Sequence, residues 1–165
     1  MTFFLETRQL IIRKRLETDI EFLATIITNK KVQEHLGGVF GNYERTLADI
    51  KKNPPTIDKF YIIVLKDTNK AIGFVTFLFN DYLVQKEIAI YLMPEHWGNS
   101  YGSESLSVIK DLWINLYGME SMIATVVPGN LSSVSMLKKE GFMLVDKYLD
   151  SSRAWQHVYK YIHKE

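Results

Sequence analysis

The first third of the chain changes from strand-like alternation to helical spacing. Leu10 and Ile12 alternate with polar neighbours, which predicts an opening strand with one buried face. Thr18 and Glu21 then have the spacing of a capping box, and apolar residues follow every three or four positions. We therefore expect a helix to begin at Thr18. Two shorter helices are predicted at residues 32–36 and 44–52.

Strand-like stretches dominate the remainder of the chain. Branched and aromatic residues predict three successive antiparallel strands at 60–65, 71–79 and 87–93. A long amphipathic helix follows Gly102 and ends near Gly118. A strand at 121–127, a helix at 130–140 and strands at 142–148 and 154–162 complete the order. The pattern predicts one α/β (α+β) domain over residues 1–165, with a mixed sheet flanked by helices.

Composition and charge narrow the function classes. The chain has 20 Lys and Arg against 19 Asp and Glu, without a run of one sign, which argues against nucleic-acid binding. It contains no cysteine, so disulfides, thiolate–zinc sites and a cysteine nucleophile are excluded. The N-terminus has no signal-peptide pattern, and no apolar run reaches the roughly 20 residues that span a bilayer. We expect a cytoplasmic protein that does not enter a membrane.

A glycine-bearing loop lies between the strand at 87–93 and the long helix. Its sequence, Trp97-Gly-Asn-Ser-Tyr-Gly102, can present several backbone amides to one anion at a helix N-terminus. A plain strand-to-helix turn is the alternative, and the two glycines alone leave both interpretations open. A second segment begins at Asn130, a residue that would by itself indicate a helix N-cap.

Taken together, the two segments resemble the GNAT superfamily of acyl-CoA N-acyltransferases. The loop is similar to the Trp-Gly-x-Gly-Tyr-Ala/Gly form in the branch that contains the ribosomal-protein N-terminal acetyltransferases. The second segment is similar to the family pattern N-x-x-S-x-x-x-L-x-K-x-G-F, matched here by Asn130, Ser133, Leu137, Lys139, Gly141 and Phe142. The resemblance implies a twisted, largely antiparallel sheet whose splayed strand pair forms an acetyl-CoA cleft.

The resemblance also implies roles for particular residues on the acetyl-CoA side. The CoA pyrophosphate would lie on the loop formed by Trp97, Gly98, Asn99, Ser100, Tyr101, Gly102 and Ser103. Asn130 would contact the pantetheine arm. Strand splaying would free main-chain groups of Ile90, Tyr91 and Leu92 to hold the pantetheine and polarise the thioester carbonyl.

Two positions depart from the family pattern. Ser100 stands where the family usually has a glycine, which would cost on the order of 1 kcal/mol if the backbone there needs a positive φ. Leu137 stands where many members have a tyrosine that protonates the departing thiolate. The resemblance therefore moves thiolate stabilisation to Ser133, whose alternative role is a first-turn serine bonded to the backbone.

The resemblance also implies that Glu87, at the start of the strand before the loop, is the general base, because related enzymes carry a glutamate there. The alternative is an exposed strand-end glutamate beside Lys86, and Asp150 is the reserve candidate. The four histidines show no metal-ligand spacing, so no metal is expected, and His96 is interpreted as solvated near the loop.

The acceptor side is the least determined by the sequence. Phe40, Tyr43 and Tyr82 are candidates to line an acceptor groove, and no acidic cluster points to a polycationic substrate. A protein N-terminus and a small amine both remain open as the acceptor, and a monomer and a homodimer both remain open as the assembly. The competing hypothesis is a CoA-binding or protein-binding module of the same fold without turnover, suggested by Ser100 and Leu137.

Overall fold

The computed structural model describes residues 4–36 and 41–164, which form an eight-stranded sheet in the order β1-β2-β3-β4-β5-β6-β8-β7. The strands are β1 (Phe4–Glu6), β2 (Leu10–Lys14), β3 (Phe60–Leu65), β4 (Ala71–Asn80), β5 (Gln85–Leu92), β6 (Ser121–Val126), β7 (Met143–Leu149) and β8 (Trp155–Ile162). The helices are α1 (Ile20–Ile27), α2 (Lys30–Leu36), α3 (Tyr43–Lys52), α4 (Tyr101–Tyr117) and α5 (Leu131–Lys139). Short 3-10 turns lie at Glu17–Asp19, Ile57–Lys59 and Pro94–His96.

The predicted sheet flanked by helices is confirmed, with most element ends within two residues of the expected positions. β1 was not predicted, because three residues are too few to establish an alternating pattern. Within residues 4–36 and 41–164, no helix is long and apolar enough to cross a bilayer.

The predicted capping box at Thr18 is wrong. The Asp19 carboxylate instead accepts a hydrogen bond from the Leu16 amide at 2.7 Å and binds the Arg13 guanidinium at 2.7 and 2.9 Å. This arrangement stabilises a 3-10 turn at Glu17–Asp19, so the α-helix begins only at Ile20. The guanidinium of a neighbouring strand, which local spacing does not reveal, decides where the helix begins.

Two apolar cores lie on opposite faces of the sheet. On one face, Leu106 and Ile109 of α4 and Leu137 of α5 pack against buried residues of the central strands. On the other face, Leu23 and Ile26 of α1 pack against Phe74 and its neighbours. We call these the α4/α5 face and the α1 face. Each face therefore has its own helical cover.

The central strands part in the middle of the sheet. Every paired neighbour is antiparallel except β5 and β6, which run parallel and share the single register pair Glu87 with Ile123. Beyond Glu87, β5 stays paired with β4 as far as Leu92 but has no further register pair with β6. The predicted splayed strand pair is thus confirmed.

The half-buried carboxylate of Glu104 connects α4 to the start of the sheet. Glu104 accepts hydrogen bonds from the Thr7 hydroxyl, from the Gln9 amide at 2.8 Å and from the Gln9 side chain at 3.0 Å. Partial burial raises the pKa of Glu104, but the hydrogen bonds from Thr7 and Gln9 outweigh it and leave the pKa lowered. The N-terminus of α4 is thereby fixed against the β1–β2 turn.

We predict that Glu104→Gln lowers the free energy of unfolding by about 1 kcal/mol at pH 7, because it weakens charge-assisted hydrogen bonds at a partly exposed site. The folded-state pKa lies below the unfolded value of about 4.3. The contribution is therefore complete above that value and is lost as the pH falls through the folded-state pKa. Urea unfolding at pH 7 and pH 3 should show a smaller difference at pH 3. Glu34→Gln, on the exposed side of α2, is the control, and an equal Glu104 difference at both pH values would contradict the assignment.

Candidate functional site

A cavity of about 520 Å³ lies between β5 and β6 where the two strands separate. Leu106 and Leu137 line it from the α4/α5 face, whereas Val32 and Tyr91 line it from the α1 face. The cavity therefore passes through the sheet. Two reactants can reach the same point from opposite sides of such an opening.

The loop between β5 and α4 forms one wall of the cavity. The Trp97 indole nitrogen donates to the Leu92 carbonyl oxygen at 2.8 Å, which closes the loop against the end of β5. The Asn99 side chain donates to the carbonyl oxygens of His96 at 3.3 Å and Trp97 at 3.2 Å. Of the predicted loop residues, those that line the cavity are Trp97, Gly98, Ser100, Tyr101, Gly102 and Ser103; the predicted strand residues Ile90, Tyr91 and Leu92 line it too. Asn99 is not among the lining residues, and its side chain instead holds the turn.

The backbone at Ser100 is left-handed, with φ 63° and ψ 8°, as the N-cap of α4. The backbone at Ser100 therefore has the positive φ that favours glycine, and serine carries a strain there that glycine would avoid. In the first backbone hydrogen bond of the helix, the Glu104 amide donates to the Ser100 carbonyl oxygen at 3.0 Å. The amides of residues 101–103 precede it and have no intrahelical partner. Free amides at a helix N-terminus can donate to an anion, and these three residues line the cavity.

Gly102 has a packing role that the sequence did not reveal. A Cβ added there would lie 2.7 Å from the Met136 sulfur of α5. Glycine at this position lets α5 approach the first turn of α4, and the two helices together border the cavity. A larger side chain at residue 102 would therefore require the Met136 side chain to move.

The second predicted segment forms the opposite wall. Asn130 is the N-cap of α5, because its side-chain oxygen accepts from the Ser133 amide at 3.2 Å and from the Ser132 hydroxyl at 3.0 Å. It also lines the cavity, as does Ser133. Among the described residues, no hydrogen bond uses the Ser133 hydroxyl. The interpretation of Ser133 as a serine bonded to the backbone through its hydroxyl is therefore wrong.

Glu87 lies where the two strands begin to part. Its carboxylate accepts from the Asn80 side-chain amide at 2.8 Å and from the Thr125 hydroxyl at 2.5 Å. The alternative of an exposed strand-end glutamate is therefore wrong, since Glu87 is half-buried. Glu87 does not itself line the cavity, but Thr125 does.

The side chain of Tyr91 lies on the α1 face above Glu87. It stacks on Phe74, with ring centroids 4.6 Å apart. Burial and, secondarily, the negative charge of Glu87 raise the pKa of Tyr91 to about 12. The phenol therefore stays neutral at physiological pH. The negative charge of Glu87 acts on Tyr91, which lines the cavity.

Asp150 is unsuited to the reserve role of general base. Hydrogen bonds from the Ser152 hydroxyl, the Ala154 amide and the Gln156 side chain lower the pKa of Asp150 to about 2. Such a carboxylate accepts a proton poorly at neutral pH. Asp150 instead stabilises the turn between β7 and β8.

Several cavity residues were not identified from the sequence. Thr125 and Lys139 line it, as do the two histidines His35 and His96. His96 was expected to be solvated, but its Nε2 is buried and has no hydrogen-bond partner among the described residues. The His35 ring contacts Trp97 edge-on at 5.0 Å. Tertiary packing brings His35, Thr125 and Lys139 to the cavity, so local spacing does not reveal their position there, whereas His96 directly precedes the loop in sequence.

Of the predicted acceptor-groove residues, Tyr43 is the first residue of α3 and does not line the cavity. Phe40 lies outside the described residues. Tyr82 lies at the turn between β4 and β5, where its ring stacks on that of Tyr148. Within residues 4–36 and 41–164, no three His, Cys, Asp or Glu residues are grouped as a metal site would require.

We predict that Ser100→Gly raises the free energy of unfolding by about 1 kcal/mol, because glycine adopts the left-handed conformation without the Cβ penalty. Ser103→Gly is the matched control in right-handed helix, where glycine should cost about 0.5–1 kcal/mol. Chemical denaturation of the three proteins measures both effects. Destabilisation by both substitutions would contradict the strained conformation of Ser100.

The sequence matches a known family model and known relatives. A family model described as Acetyltransferase (GNAT) domain matches residues 9–143. The chain is 29% identical over 151 residues to the uncharacterized N-acetyltransferase YoaA of Bacillus subtilis (strain 168), covering 84% of this chain and 81% of that protein.

Solved structures share the whole fold at low sequence identity. RimL, a ribosomal L7/L12 alpha-N-protein acetyltransferase in complex with coenzyme A, has a TM-score of 0.79 at 16% identity, covering 97% of this chain and 98% of that chain. The spermidine N-acetyltransferase from Vibrio cholerae in complex with CoA and spermine has a TM-score of 0.77 at 14% identity, covering 94% and 96%. At these identities the likeness concerns the fold.

Proposed function

Because this chain belongs to the GNAT family of acetyltransferases, we propose that it transfers an acetyl group from acetyl-CoA to a primary amine by direct attack in a ternary complex. The observation that carries the proposal is the cavity that passes through the sheet. An anion-binding helix N-terminus borders it, and a hydrogen-bonded carboxylate lies beside it on the α1 face. These are the groups that a CoA ester and an amine respectively require.

The donor fits the α4/α5 face. Its pyrophosphate would accept hydrogen bonds from the unpaired amides at the start of α4, where the helix dipole favours negative charge. The pantetheine arm would run between the two walls past Asn130, whose side-chain amide nitrogen is not used in capping α5. Bound in this way, acetyl-CoA supplies the activated acetyl group as a thioester.

The main chain of β5 orients the reacting carbonyl. Residues 90–92 pair with β4 on one edge, and β6 has already diverged from their other edge. Polar main-chain groups on that edge are therefore available to hold the pantetheine and polarise the carbonyl. The Leu92 carbonyl oxygen is already used by Trp97, so the contribution of Leu92 includes positioning the loop.

Glu87 and Ser133 provide the proton acceptor and the hydrogen-bond donor of the reaction. Glu87 takes the proton from the attacking amine, directly or through a water molecule, as the new N–C bond forms and the C–S bond breaks. Asn80 and Thr125 fix the orientation of its carboxylate. Ser133, with an unused hydroxyl at the cavity wall, donates a hydrogen bond to the departing sulfur because buried Leu137 cannot.

The acceptor is an amine on a protein N-terminus or on a small molecule. RimL acts on a protein α-amine, and the Vibrio cholerae neighbour is a spermidine N-acetyltransferase, so this fold accommodates both classes. The competing proposal, a CoA-binding module without turnover, is supported by the strained Ser100 and by Leu137. The unused hydroxyl of Ser133 and the ordered carboxylate of Glu87 favour turnover.

We predict that Glu87→Gln lowers kcat by about a hundredfold to ten-thousandfold at neutral pH, the range typical of a lost proton-transfer group. The loss should shrink at high pH, where the amine is already deprotonated, and CoA affinity should change little. CoA release with a panel of amines measures kcat, and calorimetry measures affinity.

Asp150→Asn is the control for Glu87→Gln and should leave kcat within about twofold, since Asp150 holds a turn. A Glu87→Gln protein with more than half of the parental kcat would exclude Glu87 as the base. If the parent binds CoA but releases none from acetyl-CoA with any amine, the module without turnover replaces the enzyme.

A further inference from the structure

Two tyrosines form an exposed aromatic pair near Glu87. The rings of Tyr82 and Tyr148 stack with centroids 4.8 Å apart and planes 18° from parallel. Tyr82 is nevertheless 71% exposed, so one side of its ring is held while most of its surface stays open to solvent. Leu78, Phe79 and Val84 of the same hairpin are also exposed, and such a concentration of exposed apolar side chains is typical of a binding surface.

Hydrogen bonds connect this pair to the proposed base. The Asn80 amide nitrogen lies 2.8 Å from a Glu87 carboxylate oxygen and 3.4 Å from the Tyr148 hydroxyl. The Asn80 side-chain oxygen accepts from the Leu83 amide at 3.0 Å, which fixes the turn that carries Tyr82. One asparagine thus sets the spacing between the carboxylate and the aromatic pair.

The strand register places these groups on the α1 face. Glu87 lies four residues before Tyr91 on β5, so both side chains point to the face packed by α1. Leu78 pairs directly with Glu87 and is 43% exposed on that face. The carboxylate, held by Asn80 and Thr125, is therefore bordered by the apolar Leu78 on the side opposite α4 and α5.

We propose that Tyr82 and Tyr148 recognise the acceptor and select amines that carry an aromatic or other flat apolar group close to the nitrogen. This inference rests on the proposed function. The acceptor nitrogen lies next to Glu87 while its substituent packs on the open surface of Tyr82 and on Leu78. Small aromatic amines and peptides with an aromatic N-terminal residue share this chemistry.

The test compares acceptors that differ in the apolar group. We expect the parent protein to have a higher kcat/KM for 2-phenylethylamine than for n-butylamine, and for a peptide beginning with Phe than for one beginning with Gly. The relative rates of the amine pair and the peptide pair then distinguish a small-molecule source from a protein N-terminus.

Variants assign the preference to the aromatic pair. Tyr82→Ala should raise KM for the aromatic acceptor by about two- to tenfold, the range for one aromatic contact, with little change in kcat or in KM for n-butylamine and acetyl-CoA. Tyr148→Phe keeps the ring and should keep the preference. Tyr117→Ala, an exposed tyrosine at the end of α4, is the matched control and should match the parent.

The outcomes separate the inference from the proposed function. Equal kcat/KM for aromatic and aliphatic acceptors in the parent, or equal losses for both in Tyr82→Ala, would overturn the recognition surface while leaving amine acetylation intact. No acetylation of any amine, despite CoA binding, would overturn both. Denaturation curves for each variant confirm that KM is compared between folded proteins.

Discussion

The single register pair between Glu87 and Ile123 is the constraint on which the rest of the site depends. Because β5 and β6 separate immediately beyond it, the sheet opens instead of continuing as a closed surface. The cavity in that opening is lined from both faces, and its helical covers leave room for a different reactant on each side. The same pair places Glu87 at the point where the opening begins. Sheet topology thus brings the donor and acceptor sides within reach of one another.

The donor side is built by local strain and packing that surrounding contacts compensate. Ser100 adopts a left-handed conformation at the start of α4, whose first residues line the cavity. Trp97 anchors the loop to β5, and Glu104 anchors the first turns of α4 to the β1–β2 turn. The absence of a side chain at Gly102 leaves room for the Met136 side chain of α5. If the first turn of α4 binds the CoA pyrophosphate as proposed, the contacts of Trp97 and Glu104 hold it in place beforehand, and binding requires little reordering.

Most of the fold followed from the sequence, because long periodic stretches such as α4 and β4 carry their own signal. The start of α1 did not, since the Arg13–Asp19 ion pair overrides the local capping pattern at Thr18. The loop between β5 and α4 and the helix α5 lie where the sequence predicted them, whereas their role in binding acetyl-CoA stays a prediction. The partners of Glu87 were not foreseen, because Asn80 and Thr125 reach it across strand register and not along the chain. The turn role of Asp150 likewise depends on hydrogen bonds that spacing alone does not show.

The central claim is that acetyl-CoA and the amine occupy the two faces of one opening at the same time. An initial-rate matrix, with acetyl-CoA and an accepted amine each varied at several fixed concentrations of the other, tests it most directly. Direct attack in a ternary complex predicts double-reciprocal lines that intersect, since both reactants are bound before any product leaves. Parallel lines, together with CoA release from acetyl-CoA in the absence of amine, would indicate an acetylated protein intermediate and would contradict the account.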